Sequence, residues 1–338
     1  MKYRRTLPVL LASALLVHSV ASAQEGQAAP ATAADARDAL AKKKGEGDQS
    51  ALLKETLTAV DKQYSLIRKG KTQFTYDLNY SYIGQEKLVT DITAEGLTLY
   101  EIENVSSHII TNTLSADYGV RDNLTANLTL PVISKYAETR GGGHTSNSLG
   151  DLTLGARFQP FEARRSGSMT LTSNLRLPTG RSPFKIIAGS GEATGSGVAS
   201  LSAGVNVNHI ADPVALFGSF TLTGNAQATG LHQVNGSRIL TRVQPGTTAA
   251  FGMGFAYALS YGISTTLSFQ TAISQGAKLH FEDGLKVKTA SQTSAILNTG
   301  LGYRLSPKTT LNLSVGIGLT SDSPNFSVGL NVPLSFLE

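Results

Sequence analysis

The chain has 338 residues, with 34 glycines, no cysteine and only 16% charged side chains. The absence of cysteine excludes a disulfide-stapled secreted domain and argues against a structural zinc site. The formal charge of +5 includes Lys2, Arg4 and Arg5 at the extreme N-terminus; about +2 remains without them, which gives no basis for nucleic-acid binding.

Residues 1–23 read as a signal peptide. Lys2, Arg4 and Arg5 precede an apolar run over 7–20, and Ala21-Ser22-Ala23 supplies the small-residue cleavage site before Gln24. Residues 24–50 are rich in Ala, Lys and acids and carry almost no large apolar side chain, so they read as a flexible periplasmic linker.

Residues 51–71 hold the one convincing helix signal. Leu53, Leu57, Val60, Tyr64 and Ile67 recur at spacings of four and three, with Lys54, Glu55, Asp61 and Lys62 elsewhere on the surface. Asp48 or Ser50 serves as N-cap, and Arg68-Lys69-Gly70-Lys71 ends the helix. The apolar stripe must pack on something. It lies against a barrel rim, pairs with its own copy, or enters the barrel mouth as a plug; two heptads are weak evidence for a coiled coil.

From residue 72 to 338 the period changes to two. Phe74, Tyr76, Leu78, Tyr80 and Tyr82 alternate with Gln73, Thr75, Asp77, Asn79 and Ser81. The same parity marks arms over 108–118, 124–136, 149–160, 168–178, 198–209, 215–223, 247–257, 262–273, 293–305, 309–319 and 325–337. That makes about twelve arms, each near the ~9–11 residues a tilted strand needs to cross a bilayer. No segment after the signal approaches the roughly 20 consecutive apolar residues of a membrane helix.

A soluble antiparallel sheet alternates in the same way, so the connections decide. Those over 119–123, 161–167, 210–214, 258–261 and 306–308 are short, and those over 83–107, 137–148, 179–197, 224–246 and 274–292 are long; 320–324 is the exception. Outer-membrane barrels have short periplasmic turns, longer outside loops and both termini in the periplasm. Tyr118, Tyr136, Phe158, Tyr257 and Tyr303 near arm ends would form the interfacial girdles. The chain ends on Phe336-Leu337-Glu338 and not on the terminal aromatic common in bacterial barrels. The prediction is an all-β fold: a transmembrane antiparallel up-and-down β-barrel of about twelve strands. It sits in bacterial outer-membrane lipid, behind a short amphipathic helix on the periplasmic side.

With the apolar parity facing lipid, Thr, Ser, Asn and Gly line the lumen. The lumen-facing candidates are Asp77, Asn79, Asp117, Asp151, Arg157, Arg176 and Arg304. Small hydroxyl and amide groups without a single-sign ring do not make a strongly ion-selective filter. The charged members either brace the wall by pairing internally or touch a solute. About twelve strands leave an interior, since about eight are just filled by their own side chains. None of the histidines has metal-ligand spacing, and the glycine-rich stretch over 189–197 lacks both a nucleophile elbow and a phosphate loop, so it reads as a flexible outer loop. No cofactor, metal or catalytic set is expected, although a loop-borne hydrolase is conceivable on such a barrel.

Four stretches carry a resemblance: Asp61-Lys62-Gln63-Tyr64-Ser65-Leu66, Asn79-Tyr80-Ser81-Tyr82-Ile83-Gly84-Gln85-Glu86, Leu149-Gly150-Asp151-Leu152-Thr153-Leu154-Gly155-Ala156-Arg157, and Leu177-Pro178-Thr179-Gly180-Arg181-Ser182-Pro183-Phe184. Together with the closing segment over 306–336, they resemble the outer-membrane pores of Fap functional-amyloid secretion systems. The middle motifs are shared with a broader group of barrels linked to aromatic-compound degradation. The resemblance implies export of unfolded amyloid subunits as cargo, a plug helix mapping onto 53–67, and a homotrimer held by a periplasmic coiled coil. The short segment over 24–50 departs from that pattern, for it holds no sustained heptads. The alternative is an uptake channel for small apolar or aromatic molecules, which should show apolar residues at lumen parity; Phe217 and Ile296 are the candidates.

Overall fold

The computed structural model describes residues 66–334, except 94–95, 140–141, 162–166, 187–191, 212–213, 236–237, 261 and 307–308. The signal peptide, the linker and the helix expected over 51–65 lie outside the described residues. Ile67 lies within them and is not helical: residues 66–68 are irregular, and a turn at Lys69 and Gly70 leads into the first strand. Gly70 has φ of 76°, a left-handed conformation that glycine adopts without steric cost.

The strands are β1 (Thr72–Thr93), β2 (Gly96–Arg121), β3 (Leu124–Thr139), β4 (Gly142–Leu149), β5 (Leu152–Phe158), β6 (Gly167–Leu177), β7 (Ser200–Ala211) and β8 (Val214–Asn225). They continue with β9 (Ala228–Asn235), β10 (Arg238–Gln244), β11 (Thr248–Ala258), β12 (Ile263–Ser274), β13 (Lys278–Phe281) and β14 (Lys286–Lys288). Last come β15 (Gln292–Ser306), β16 (Thr309–Gly318) and β17 (Phe326–Pro333). The helical content of the described residues is one 3-10 turn, Pro183–Lys185.

Hydrogen bonds join β1-β2-β3-β5-β6-β7-β8-β11-β12-β15-β16-β17 in a ring, and β17 closes it on β1 with Tyr76 opposite Val332 and Tyr80 opposite Val328. The result is a closed twelve-stranded antiparallel barrel, which leaves no open sheet edge in its wall. Each of its strands overlaps one of the predicted arms.

The packing is inverted relative to a soluble domain. Leu201 is 58% exposed and Ile317 55% exposed on the outer wall, whereas the largest fully buried side chains are Thr75, Thr125 and Thr170. A wall of exposed Leu, Val, Ile and Phe on every barrel strand but β1 is sustainable only against lipid. Among the described residues no helix is long and apolar enough to cross a membrane, so the strands do the crossing.

Aromatics band both ends of the wall. Tyr80, Tyr82, His108, Tyr136 and Phe326 cluster at the long-loop end, with Tyr82 and His108 ring centroids 5.1 Å apart and Tyr82 and Phe326 5.6 Å apart. At the short-turn end Tyr118 and Tyr303 stand about half exposed on the outer wall. Rings at two levels suit the two lipid–water interfaces.

The long connections depart from the expected loops. The stretch over 83–107 continues β1 and β2 as a hairpin paired from Thr72 opposite Tyr118 to Thr93 opposite Gly96. The expected arm over 149–160 is broken at Gly150-Asp151: β4 pairs with the outer part of β3 and β5 with its inner part. The Thr179 hydroxyl stitches that break, accepting from Leu152 N and donating to Gly150 O, both at 2.9 Å. The connections over 224–246 and 274–292 are ordered as a separate four-stranded sheet, β14-β13-β10-β9. Its inner face buries Ala228, Leu240 and Val243 with Val198, and Phe184, Leu231 and Leu279 pack around them.

Candidate functional site: the barrel lumen

Ladder register fixes which side chains point inward, because directly opposed residues share a face. Thr75, Asp77 and Asn79 oppose Ser115, Thr113 and Thr111 on β2, and these oppose Thr129, Pro131 and Ile133 on β3. On the far wall Phe217, Ser219 and Thr221 oppose Gly254, Gly252 and Ala250. Of these, Asp77, Thr113, Ser115 and Thr129 on one side and Phe217, Ser219, Thr221 and Gly252 on the other line a cavity of about 770 Å³.

Of the predicted lumen residues, Asp77, Asp117 and Arg157 line this one cavity. Arg157 donates to and forms an ion pair with Asp117, and both side chains are buried in the wall. Asp77 accepts from the Asn331 amide. Asn79 has the same parity but stands exposed opposite Gly329. Arg176 Nε donates to Ser200 Oγ at 3.0 Å, and Arg304 sits near the short-turn end of β15, its backbone N donating to Gly262 O.

Asp151 occupies a different place, at the β4–β5 break. Its carboxylate accepts from Gly180 N at 3.1 Å, Ser196 N at 2.7 Å and Ser196 Oγ at 2.6 Å. These bonds tie Gly180 and Ser196 of the β6–β7 loop to the inner side of the wall. Thr194 Oγ1 donates to Leu149 O, Glu192 N donates to Ser146 Oγ, and Glu192 pairs with Lys135 at 2.7 Å. Lys135 and Ser146 have lumen parity, so the loop is folded inward at the long-loop end. The described part of the glycine-rich stretch, 192–197, is therefore held, where the sequence suggested a flexible outer loop. Its glycines serve close approach: a Cβ on Gly180 would collide with Gly195, and one on Gly195 with Asp151 and Gly180.

At the opposite mouth, the chain before β1 reaches the lumen face. Ile67 N donates to Thr125 Oγ1 at 2.9 Å; Ile67 is 9% exposed and Thr125 fully buried. Lys69 N donates to Asp122 Oδ1, and Gly70 N donates to Gly119 O. Gly119 admits this approach because a Cβ there would strike the carbonyls of Ile67 and Arg68. Of the predicted plug residues, Leu53, Leu57, Val60 and Tyr64 lie outside the described residues.

Three further groups belong to the cavity that the charged-residue reading passed over. Asn127 Oδ1, Asn312 Nδ2 and Asn331 Oδ1 are buried without a hydrogen-bond partner in the protein. Buried polar atoms left open cost free energy unless the contents of the cavity satisfy them. Across the barrel, six positions round the ring from β1, the Phe217 ring lies over Gly254, where a Cβ would collide with it. Lumen parity exposed Phe217 in the sequence. Nothing there distinguished these asparagines from the others.

A protein-family model described as "Putative MetA-pathway of phenol degradation" matches residues 91–336. The crystal structure of an outer membrane channel from Pseudomonas putida F1 has 15% identity and a TM-score of 0.57, covering 80% of this chain and 97% of that one. The likeness establishes a common fold. The Pseudomonas putida toluene transporter TodX matches at 9% identity and TM-score 0.43, covering 82% of this chain and 92% of that one. The CymD monoaromatic hydrocarbon channel matches at 12% identity and TM-score 0.40, covering 85% and 92% respectively.

Proposed function

The chain belongs to the family described by the MetA pathway of phenol degradation, and from that premise we propose that it is an outer-membrane channel for small aromatic molecules, hydroxylated ones above all. The observation that carries this reading is the cavity itself. Its volume of about 770 Å³ lies in the range of small-molecule sites. Its polar wall presents open amide groups, and one aromatic ring projects from the opposite side. A phenol offers one hydroxyl for the former and one π-face for the latter. The channel works as a diffusion path without a catalytic step. Residues 51–67 gate it from the periplasmic mouth, to which the seat of Ile67 on Thr125 leads the chain.

A second reading, export of an unfolded amyloid subunit through a homotrimeric pore, draws on the Fap resemblance and on the small hydroxyl lining, which offers an extended chain little to adhere to. Deleting the gene and measuring both outputs separates the two. Uptake of labelled phenol at low external concentration should fall and return with a plasmid copy, while extracellular amyloid is unchanged. Loss of amyloid with unaltered phenol uptake would give precedence to export.

A further inference from the structure

We propose that the outward face of the loop sheet binds the phosphorylated headgroup and inner core of the lipopolysaccharide surrounding the barrel. This rests on the orientation adopted above, with the long loops at the cell surface. The sheet is amphipathic by construction. In β10 the register shifts between Leu240 and Arg242, and the extra residue at Thr241 lets Leu240 and Val243 both face inward. Arg242 is left facing out.

Register then assembles a cationic surface from three strands. Arg242 stands opposite His280, His280 opposite Lys286, and two residues along Lys278 stands opposite Lys288. Arg242, Lys278, Lys286 and Lys288 are all exposed. On the opposite face Leu279 packs against the buried cluster of Val198, Leu240 and Val243, while its neighbour Val287 on β14 stands exposed.

Glu282 and Asp283 lie in the β13–β14 turn, and Asp283 Oδ1 accepts from Leu285 N at 3.2 Å. Among the described residues, no carboxylate forms an ion pair with any of the five basic groups. Like charges directly opposite on neighbouring strands destabilise a sheet. Strands about 4.8 Å apart with outward side chains about 6.7 Å apart along each make a grid of positive charge. That grid complements an anion with several phosphates and carboxylates fixed in a plane, as the lipopolysaccharide headgroup layer presents. Binding there would anchor the sheet, and with it the Phe184 and Val198 contacts of the inward-folded loop.

The test uses the full chain in detergent and measures binding of rough lipopolysaccharide against the same lipid enzymatically dephosphorylated. Replacing Lys278→Gln, Lys286→Gln and Lys288→Gln together should weaken binding of the phosphorylated form roughly a hundredfold, at about fivefold per lysine near an anionic surface. Binding of the dephosphorylated form should be weak and unchanged. The charge-conserving triple variant Lys278→Arg, Lys286→Arg and Lys288→Arg should bind like the parent. Equal binding of both lipids by the parent, parent-like binding by the glutamine variant, or full displacement by inorganic phosphate alone would overturn the proposal. Phenol-dependent single-channel current in lipopolysaccharide-free bilayers should be the same in the glutamine variant and the parent. A failure of lipid binding thus leaves the transport reading standing, and the converse holds.

Discussion

At the scale of single residues, the lumen wall is organised by one buried ion pair and one aromatic ring. Asp117 and Arg157 are joined inside the wall next to Thr125, where the chain before β1 docks. Removing one member of a buried pair costs about 3–5 kcal/mol, because the remaining charge loses its compensation. Asp117→Asn should therefore lower stability to urea by about 3 kcal/mol and shift the reversal potential in a salt gradient toward anion preference. Unchanged stability and selectivity would show that the pair is solvated and carries no structural weight. Both side chains were visible in the sequence as charges at lumen parity. Their pairing was not, because it joins β2 to β5 across β3, a neighbour relation no local pattern encodes.

At the scale of elements, the strands were legible and the loops were not. A period of two survives in any strand with lipid on one side and a polar lumen on the other, so the parity of β1, β16 and β17 could be read directly. The loop sheet escaped notice for two reasons. Its strands β13 and β14 span only four and three residues, and the bulge at Thr241 breaks the alternation of β10. The inward seat of the β6–β7 loop at Gly180 and over 192–197 is not legible because glycine signals freedom in a sequence, while here Gly180 and Gly195 permit contact. Asp151 holds that loop through three donors, each bond to a charged acceptor worth about 1.5–3 kcal/mol. In planar bilayers Asp151→Ala should raise open-channel conductance or its noise by releasing the loop, and deleting residues 50–67 should raise it from the other mouth. Parent-like traces from Asp151→Ala would show that the loop does not constrict the path. Parent-like traces from the deletion would remove the plug.

At the scale of the whole molecule, the fold places two surfaces back to back. The outer one is apolar and banded by aromatics, and it answers only to lipid. The inner one is polar, enclosed, and interrupted by Phe217 over Gly254. A channel built for pure hydrocarbon would need more apolar lining than this. One built for an extended polypeptide has no need of a ring opposite open amide groups. The central claim is therefore that the lumen recognises a small hydroxylated aromatic. The most direct measurement is the single-channel current of the reconstituted protein with phenol added to one side. Reversible interruptions should appear, rise in frequency with phenol concentration, be absent with a sugar of similar size, and become several-fold rarer in Phe217→Ala as about 1 kcal/mol of aromatic contact is lost. A current indifferent to phenol but blocked for long intervals by an unfolded polypeptide would contradict the account.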